Sequence, residues 1–461
     1  MMISGSMPDD STLQAQKRKG TGLTAKNPRP VQVIHAIISQ NRNAPKELYH
    51  YTSMTVMDSL LTSGQFWASN IFYLNDAEEY YKGIKYLIDL YSAQPKYVEI
   101  LREILNDNGN SSQGVFSLSF STQNDNLHQW ITYAKEGGVC IGLDNERLKK
   151  YRIALEGKEN KNIKHNEYGF CKDVIKQAIY LTKKAVGKSK IDKMLQKALM
   201  LEIDNEEDRN TVLNEMSAGD FSDATKDGIK EYYRLWVSYC KHSAFEIEKE
   251  YRAVFSPIFA KHASPPTIFY HVTPSGIIRP FLKVGFKETE DSEGISPLPI
   301  RSIMIGPAGN QQSVFDSVVH RVRFGETNVW DYWEKDDYIA FKRNYMEYYC
   351  GAIQEYLKKN SLERIREQNL TILNQALRDL WRTSNKKRLK KDIKRLDSGE
   401  YFPNDNECVQ AIKDKKIKVE NEASADPNDK TVNEILKYIQ KNHFFTKEGI
   451  WIKKSQIPYV F

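Results

Sequence analysis

The sequence predicts an α+β fold: a β-rich core carrying a helical insertion, followed by a mainly helical C-terminal region. Three observations lead there. Short runs of period-2 alternation are interleaved with 3.6-period segments as far as about residue 325, residues 172 to 240 are helical in pattern, and residues 336 to 395 carry a helical period with few β-branched residues. The 461-residue chain has 67 Lys and Arg against 60 Asp and Glu, a formal charge of +7, with 11% aromatic residues. Its mean hydropathy is −0.60. That aromatic content suits a folded chain rather than a disordered one. A length of this order predicts about three domains.

In order, residues 1 to about 45 are rich in Ser, Gly, Gln, Lys and Pro and read as a flexible tail, with one short apolar patch from Val31 to Ile38. Leu48 to Thr52 then reads as a strand, and Val56 to Leu61 as a helix closed by Gly64. Phe66 to Ser69 is a second strand. Leu74-Asn75-Asp76 stands in capping position before a helix carrying Tyr80, Tyr81, Ile84, Leu87 and Ile88. Val115 to Ser121 alternates Ser with Phe or Leu, as a strand with one hydroxyl face would. Asp125 to Tyr133 reads as a short helix, Val139 to Leu143 as a strand after Gly137-Gly138, and Phe245 to Phe255 as a strand with Glu248, Glu250 and Arg252 on one face. Thr267 to Val272 and Ile300 to Ile305 are further strands, and Gln311 to Val322 a helix. A last module covers about 397 to 461, with a polar linker near Asp426-Pro427 and an aromatic end.

Several classes are excluded or weakened. No window reaches the roughly 18 continuous apolar residues of a membrane span, so the expected location is the cytoplasm, with no membrane partner. The five cysteines (Cys140, Cys171, Cys240, Cys350, Cys408) are scattered singly, and the histidines form no HxxxH or HExxH pattern. Neither a disulfide framework nor a metal site is therefore expected. A phosphate-cradling GxxxxGK[ST] loop and a GxGxxG turn are both missing.

The positive charge is local. Lys358 to Arg395 holds 13 basic against 4 acidic residues, a surplus of +9 that leaves −2 for the remainder. Lys386, Lys387, Arg388, Lys390, Lys391, Lys394 and Arg395 are the candidates for contact with DNA or RNA phosphates. A solvated helix face is the plain alternative.

Four clusters stand out in order: Leu48-Tyr49-His50-Tyr51-Thr52-Ser53; Leu74-Asn75-Asp76 with Glu79; Ser119-Phe120-Ser121 with Asp125, Leu127, Trp130 and Tyr133; and Phe245 with Glu248-x-Glu250-Tyr251-Arg252. Together with Ile305-Gly306-Pro307 they resemble the motifs of a widespread bacterial family of domains of unknown function, over about residues 46 to 325. That family in turn resembles, more remotely, the ADP-ribosyltransferase fold, a split mixed β-sheet that holds NAD. The resemblance implies His50, Tyr81, Glu248 and Glu250 as catalytic residues. It implies Tyr51, Thr52, Ser53, Tyr80, Ser119, Ser121 and Arg252 as cofactor contacts. The choices between Tyr80 and Tyr81, and between Glu248 and Glu250, stay open. Tyr51 stands where many such enzymes have Gly.

Such residues suit the chemistry. Breaking the ribose–nicotinamide bond passes through an oxocarbenium-like state that a carboxylate stabilises, while an imidazole can bind a ribose hydroxyl and an aromatic face can stack on nicotinamide. The expectation is an NAD-consuming enzyme without metal that modifies a nucleic acid or protein, acting as a bacterial toxin or anti-phage defence effector with an antitoxin or complex partner. Two other readings compete: a non-enzymatic nucleic-acid-binding or complex-forming protein, and a different nucleotide-cleaving hydrolase. The enzyme reading in this form requires His50 and one of the two glutamates to converge on one ribose.

Overall fold

The computed structural model describes residues 45–74, 78–106, 114–135, 137–159, 162–181, 187–200, 203, 205–256, 266–273, 276–288, 294–334, 337–385, 402–420 and 430–458. The N-terminal tail, the Asn75-Asp76 cap and all seven basic candidates from Lys386 to Arg395 lie outside these residues.

Local signals place the first elements. In β1 (Glu47–Thr52) Leu48 turns into the core, and α1 (Met54–Ser63) starts where the Ser53 hydroxyl accepts from the Val56 amide at 3.3 Å. Gly64 ends that helix at φ +70, a left-handed conformation that costs glycine little. β2 (Phe66–Asn70), α2 (Glu78–Leu90), α3 (Pro95–Asn106) and β3 (Phe116–Ser121) follow, then α4 (Leu127–Tyr133) and β4 (Val139–Asp144).

The region after β4 is less helical than its pattern predicts. β5 (Arg152–Glu159) and β6 (Asn162–Phe170) form an antiparallel hairpin. The expected helical stretch opens with two short strands, β7 (Ile175–Gln177) and β8 (Ile179–Leu181). Helices occupy its later part: α5 (Lys188–Met200), α6 (Glu206–Ala218) and α7 (Asp223–Ser238). β9 (Cys240–His242) and a 3-10 turn, Ser243–Glu248, lead into β10 (Glu250–Phe255). The expected strand over 245 to 255 thus begins five residues late, and Glu248 sits ahead of it. β11 (Phe269–Val272), β12 (Ile278–Lys287), β13 (Ile300–Ile305) and α8 (Gln311–Phe324) complete this part.

The main sheet is mixed. β13 runs antiparallel to β4, β4 to β1, and β1 to β3. β3 is where the sheet divides: along one edge it pairs β1 only at Ser121 and β2 only at Ser117 and Phe116. Its other edge pairs β10 from Ser121–Glu250 to Phe116–Phe255. Alternation gives the two faces different roles. Leu48, Phe120, Leu118, Tyr251 and Ala253 share a core with Leu60 and Leu61 of α1 and Phe315, Val318 and Val322 of α8. On the other face Val254 packs with Ile84 and Leu87 of α2, Ile100 and Leu101 of α3, and Trp236 of α7.

The stretches 336–395 and 397–461, read as separate in the sequence, share one aromatic core. It joins α9 (Tyr338–Lys359), α10 (Glu367–Asn385), α11 (Asp405–Asp414) and α12 (Lys430–Asn442) around Trp333, Phe341, Tyr345, Tyr349 and Trp381. β14 (Arg364–Arg366) pairs β15 (Lys418–Glu420) beside it. The chain then returns to the main sheet: β16 (His443–Phe445) pairs β17 (Trp451–Lys454), which runs parallel to β13. Arg301 of β13 fastens the two parts, reaching Glu47 at 3.3 Å and Glu347 of α9 at 2.7 Å. Among the described residues no helix is long and apolar enough to cross a membrane.

Candidate active site

A buried ionic network crosses the face of the sheet opposite α1. Arg252 is 3% exposed and uses its guanidinium fully: Nε donates to Glu250 Oε1 at 2.8 Å, Nη2 to Glu79 Oε2 at 2.6 Å, and Nη1 to the Ser238 and Cys240 carbonyls at 3.1 and 3.0 Å. Lys241 Nζ lies 2.7 Å from both Glu248 Oε2 and Glu250 Oε2, and 3.7 Å from Glu79 Oε1. Burial alone would raise the Glu250 pKa, yet Arg252 and Lys241 together hold it down at about 2. Burial likewise works against the charges of Lys241 and Arg252, and the carboxylates overcome it, so both pKa values end above their ordinary values. Three carboxylates thus face two permanent cations.

The backbone bends to assemble this. Lys249 takes the left-handed conformation (φ 46, ψ 50) between Glu248 and Glu250, which is uncommon for a residue with a side chain. Ser121 Oγ donates to the Glu248 carbonyl at 2.7 Å, and the Thr122 amide donates to the Lys249 carbonyl at 3.2 Å, holding the bend in place. Glu248 and Glu250 both reach Lys241 from the two sides of this bend.

Glu248 is the carboxylate that meets the surface. Its side chain is 3% exposed, while that of its partner His128 is 37% exposed. His128 Nε2 donates to Glu248 Oε1 at 3.1 Å, and the Tyr133 hydroxyl donates to Oε2 at 3.4 Å. A carboxylate only accepts, so Nε2 is the donor in this contact and Nδ1 is the ring nitrogen that Glu248 does not engage. That nitrogen has no partner among the described residues. Burial raises the Tyr133 pKa, with Lys241 opposing and Glu248 adding to the rise, so its hydroxyl stays protonated. Asn126 caps α4 by accepting from the His128 amide at 2.9 Å, and it donates to the Ile247 carbonyl at 3.2 Å. Leu127, Ile131 and Ile247 flank the pair in the chain and are exposed.

The other sequence candidates fall elsewhere. His50 points to the opposite face, edge-on to Phe66 at 5.2 Å and Phe120 at 6.0 Å, and its Nδ1 donates to the Ser119 carbonyl at 3.1 Å. It fills the gap where β1 and β2 part along β3. Burial lowers its pKa, so the ring is neutral at pH 7. The expected convergence of His50 with Glu248 or Glu250 is therefore not formed, because the alternation that faces Ser121 toward Glu250 turns Phe120 and His50 away. Thr52, which is buried, shares the His50 side. Tyr51 holds the next loop, donating to the Gln123 carbonyl at 2.9 Å and accepting from the Asn126 amide at 3.0 Å. Ser53 is the cap of α1. Tyr80 is buried against Phe72 at 5.0 Å, and Tyr81 is half-buried 6.1 Å from the same ring. Asp125 anchors Trp130 Nε1 at 2.7 Å and Ser455 Oγ at 2.6 Å.

Residues 129–253 match the family model described as a protein of unknown function (DUF2971). This agrees with the motif resemblance and takes in Trp130, Tyr133, Lys241, Glu248, Glu250 and Arg252. His50, Glu79 and His128 lie outside the matched span. No curated protein and no solved structure matches the chain. Sequence reasoning missed His128 and Lys241 as members of the site. His128 stands 120 residues from its partner, so only the folded chain relates them.

Proposed function

We propose that this protein is an NAD-consuming, ADP-ribosyltransferase-like enzyme whose reactive pair is Glu248 and His128. The observation that carries this is the Glu248 carboxylate, buried, ordered by Lys241, Tyr133 and His128, and next to a half-exposed imidazole whose Nδ1 it does not engage. The division of the sheet at β3 supports the split-sheet resemblance. Glu248 would stabilise the positive charge developing on the ribose as the C1′–N bond breaks and the bonding pair returns to nicotinamide nitrogen. An acceptor hydroxyl then forms the C1′–O bond and gives its proton to His128 Nδ1. With water as acceptor the same pair gives hydrolysis.

A second reading has one observation in its favour. Arg252 spends its charge on Glu250 and Glu79 within the fold, as a structural brace in a nucleic-acid-binding or complex-forming module would. Nicotinamide release from NAD separates the readings, measured with wild type, His128→Ala, Glu248→Gln and His50→Ala, with and without DNA, RNA or cell lysate as acceptor. Release lost in the first two variants and retained in a folded His50→Ala protein is expected. No release, with no rise of Tm by NAD, would establish the binding module instead.

A further inference from the structure

Beside the end of β17, a cavity of about 550 Å³ opens between the N-terminal end of α8 and the C-terminal ends of α9 and α12. Lys359, Lys437, Lys441 and Lys454 all line it, together with Gln312 and Tyr438. Its size falls within the roughly 300 to 1,000 Å³ of small-molecule sites. No carboxylate forms an ion pair with any of the four ammonium groups among the described residues.

Lys454 is the decisive member. It is 5% exposed, and the one hydrogen bond of its ammonium goes to the amide oxygen of Gln312. Both Lys454 and the preceding Lys453 lie over a ring, at 5.2 Å from the Phe315 centre and 3.9 Å from the Trp451 centre, but only Lys453, on the other face of β17, also meets a carboxylate, Glu355 at 3.5 Å. Asp316, one turn along α8, is engaged by Gln312 Nε2 at 2.9 Å. Burial, then the neighbouring charges of Lys441 and Lys359, lower the Lys454 pKa against the pull of Asp316. A buried cation surrounded by cations is costly unless an anion completes the set.

The remaining lysines reinforce the same charge. Lys437 and Lys441 are exposed and stand four apart on α12, a like-charge spacing that disfavours the helix. Lys359 and Lys441 each complement a helix C-terminus, but Lys437 and Lys454 have no such role. Opposite them, α8 begins without a side-chain cap and without an acidic residue in its first turn, so its positive end adds to the field.

We propose that this cavity is a binding site for a polyphosphate group, carried by a nucleotide or free as inorganic polyphosphate. It is distinct from the Glu248 site, since none of Glu248, His128, Lys241 and Tyr133 lines it. Three or four phosphate charges match four ammonium groups better than a single phosphate does.

Calorimetric titration of the full chain with ATP, AMP and tripolyphosphate at 50 mM salt tests this, comparing wild type with Lys437→Gln/Lys441→Gln and with Lys454→Gln. ATP and tripolyphosphate should bind, AMP at least tenfold more weakly, and the double variant should lose at least tenfold in affinity with Tm unchanged, because both side chains are exposed. ATP binding tenfold tighter than tripolyphosphate identifies a nucleotide, whereas equal affinities identify free polyphosphate. The proposal is overturned if neither ligand binds, or if the exposed pair can be replaced without loss. It is equally overturned if a dodecathymidylate binds tighter than both and loses its affinity in the same variants, which would make the cavity a nucleic-acid groove.

Discussion

Replacing Arg252 by Met tests the ionic network most directly. The substitution keeps much of the side-chain volume but removes a guanidinium that meets two buried carboxylates and two carbonyls. Its worth can be gauged from Glu250, whose pKa falls from an ordinary 4.5 to about 2. At 1.36 kcal/mol per pH unit, that is about 3 kcal/mol of stability from one carboxylate, shared between Arg252 and Lys241. Removing one partner of a buried pair typically costs about 3–5 kcal/mol, and the same range is expected here at pH 7 from urea denaturation. The sign with pH is distinctive. In the wild type the folded pKa is depressed, so this stability is present above about 4.5 and is lost as pH falls toward 2. In the variant, burial is no longer opposed by Arg252, the folded pKa of Glu250 rises, and the penalty shrinks as pH drops from 7 to 5. Adding Glu250→Gln should then recover at least about 1 kcal/mol. A loss below about 1 kcal/mol, or a penalty that does not change with pH, would refute the reasoning.

Three further outcomes follow from particular contacts. Glu231 is pushed up from 4.5 to about 7 chiefly by burial, with Arg234 opposing, so its folded pKa exceeds its unfolded one and it weakens the fold as pH rises through that interval; Glu231→Gln should stabilise at pH 8 by up to about 3 kcal/mol and leave pH 4 unchanged by urea titration. Gly138→Ala would put a Cβ 2.6 Å from the Thr52 carbonyl oxygen and 2.8 Å from Ala134 Cα, both backbone, so a loss of about 2 kcal/mol or more is expected in the same assay. Asp125→Ala frees Trp130 Nε1, Ser455 Oγ and the Gln456 amide together, and limited proteolysis should then cut near residue 455 at least tenfold faster.

Legibility in the sequence followed the range of the signal. The start and end of α1 were readable because Ser53 and Gly64 act on their own neighbours, and β3 because its Ser/Phe alternation matches its two environments. The β5–β6 hairpin went unread, since its pairing is fixed by register with β12 rather than by a turn motif. Nothing in a lysine at 249 announces a left-handed backbone, so the alternation alone puts Glu248 on the strand. The two-faced placement of His50 and Glu250 required knowing that β3 lies between them. The dense basic run drew attention in sequence, whereas Lys359, Lys437, Lys441 and Lys454 are spread over almost a hundred residues and meet only through α9, α12 and β17.

The parallel pairing of β17 on β13 has a consequence for biosynthesis. Ile303 finds its partner in Ile452, so a ribosome must add roughly 150 residues after β13 before that edge of the sheet is closed. During that interval a buried, apolar strand presents unpaired amides and carbonyls to other chains. At about 5–20 residues per second the exposure lasts on the order of ten to thirty seconds. A message cut short anywhere in the helical region would leave the edge open for good, making truncated products of this chain prone to aggregate rather than merely inactive.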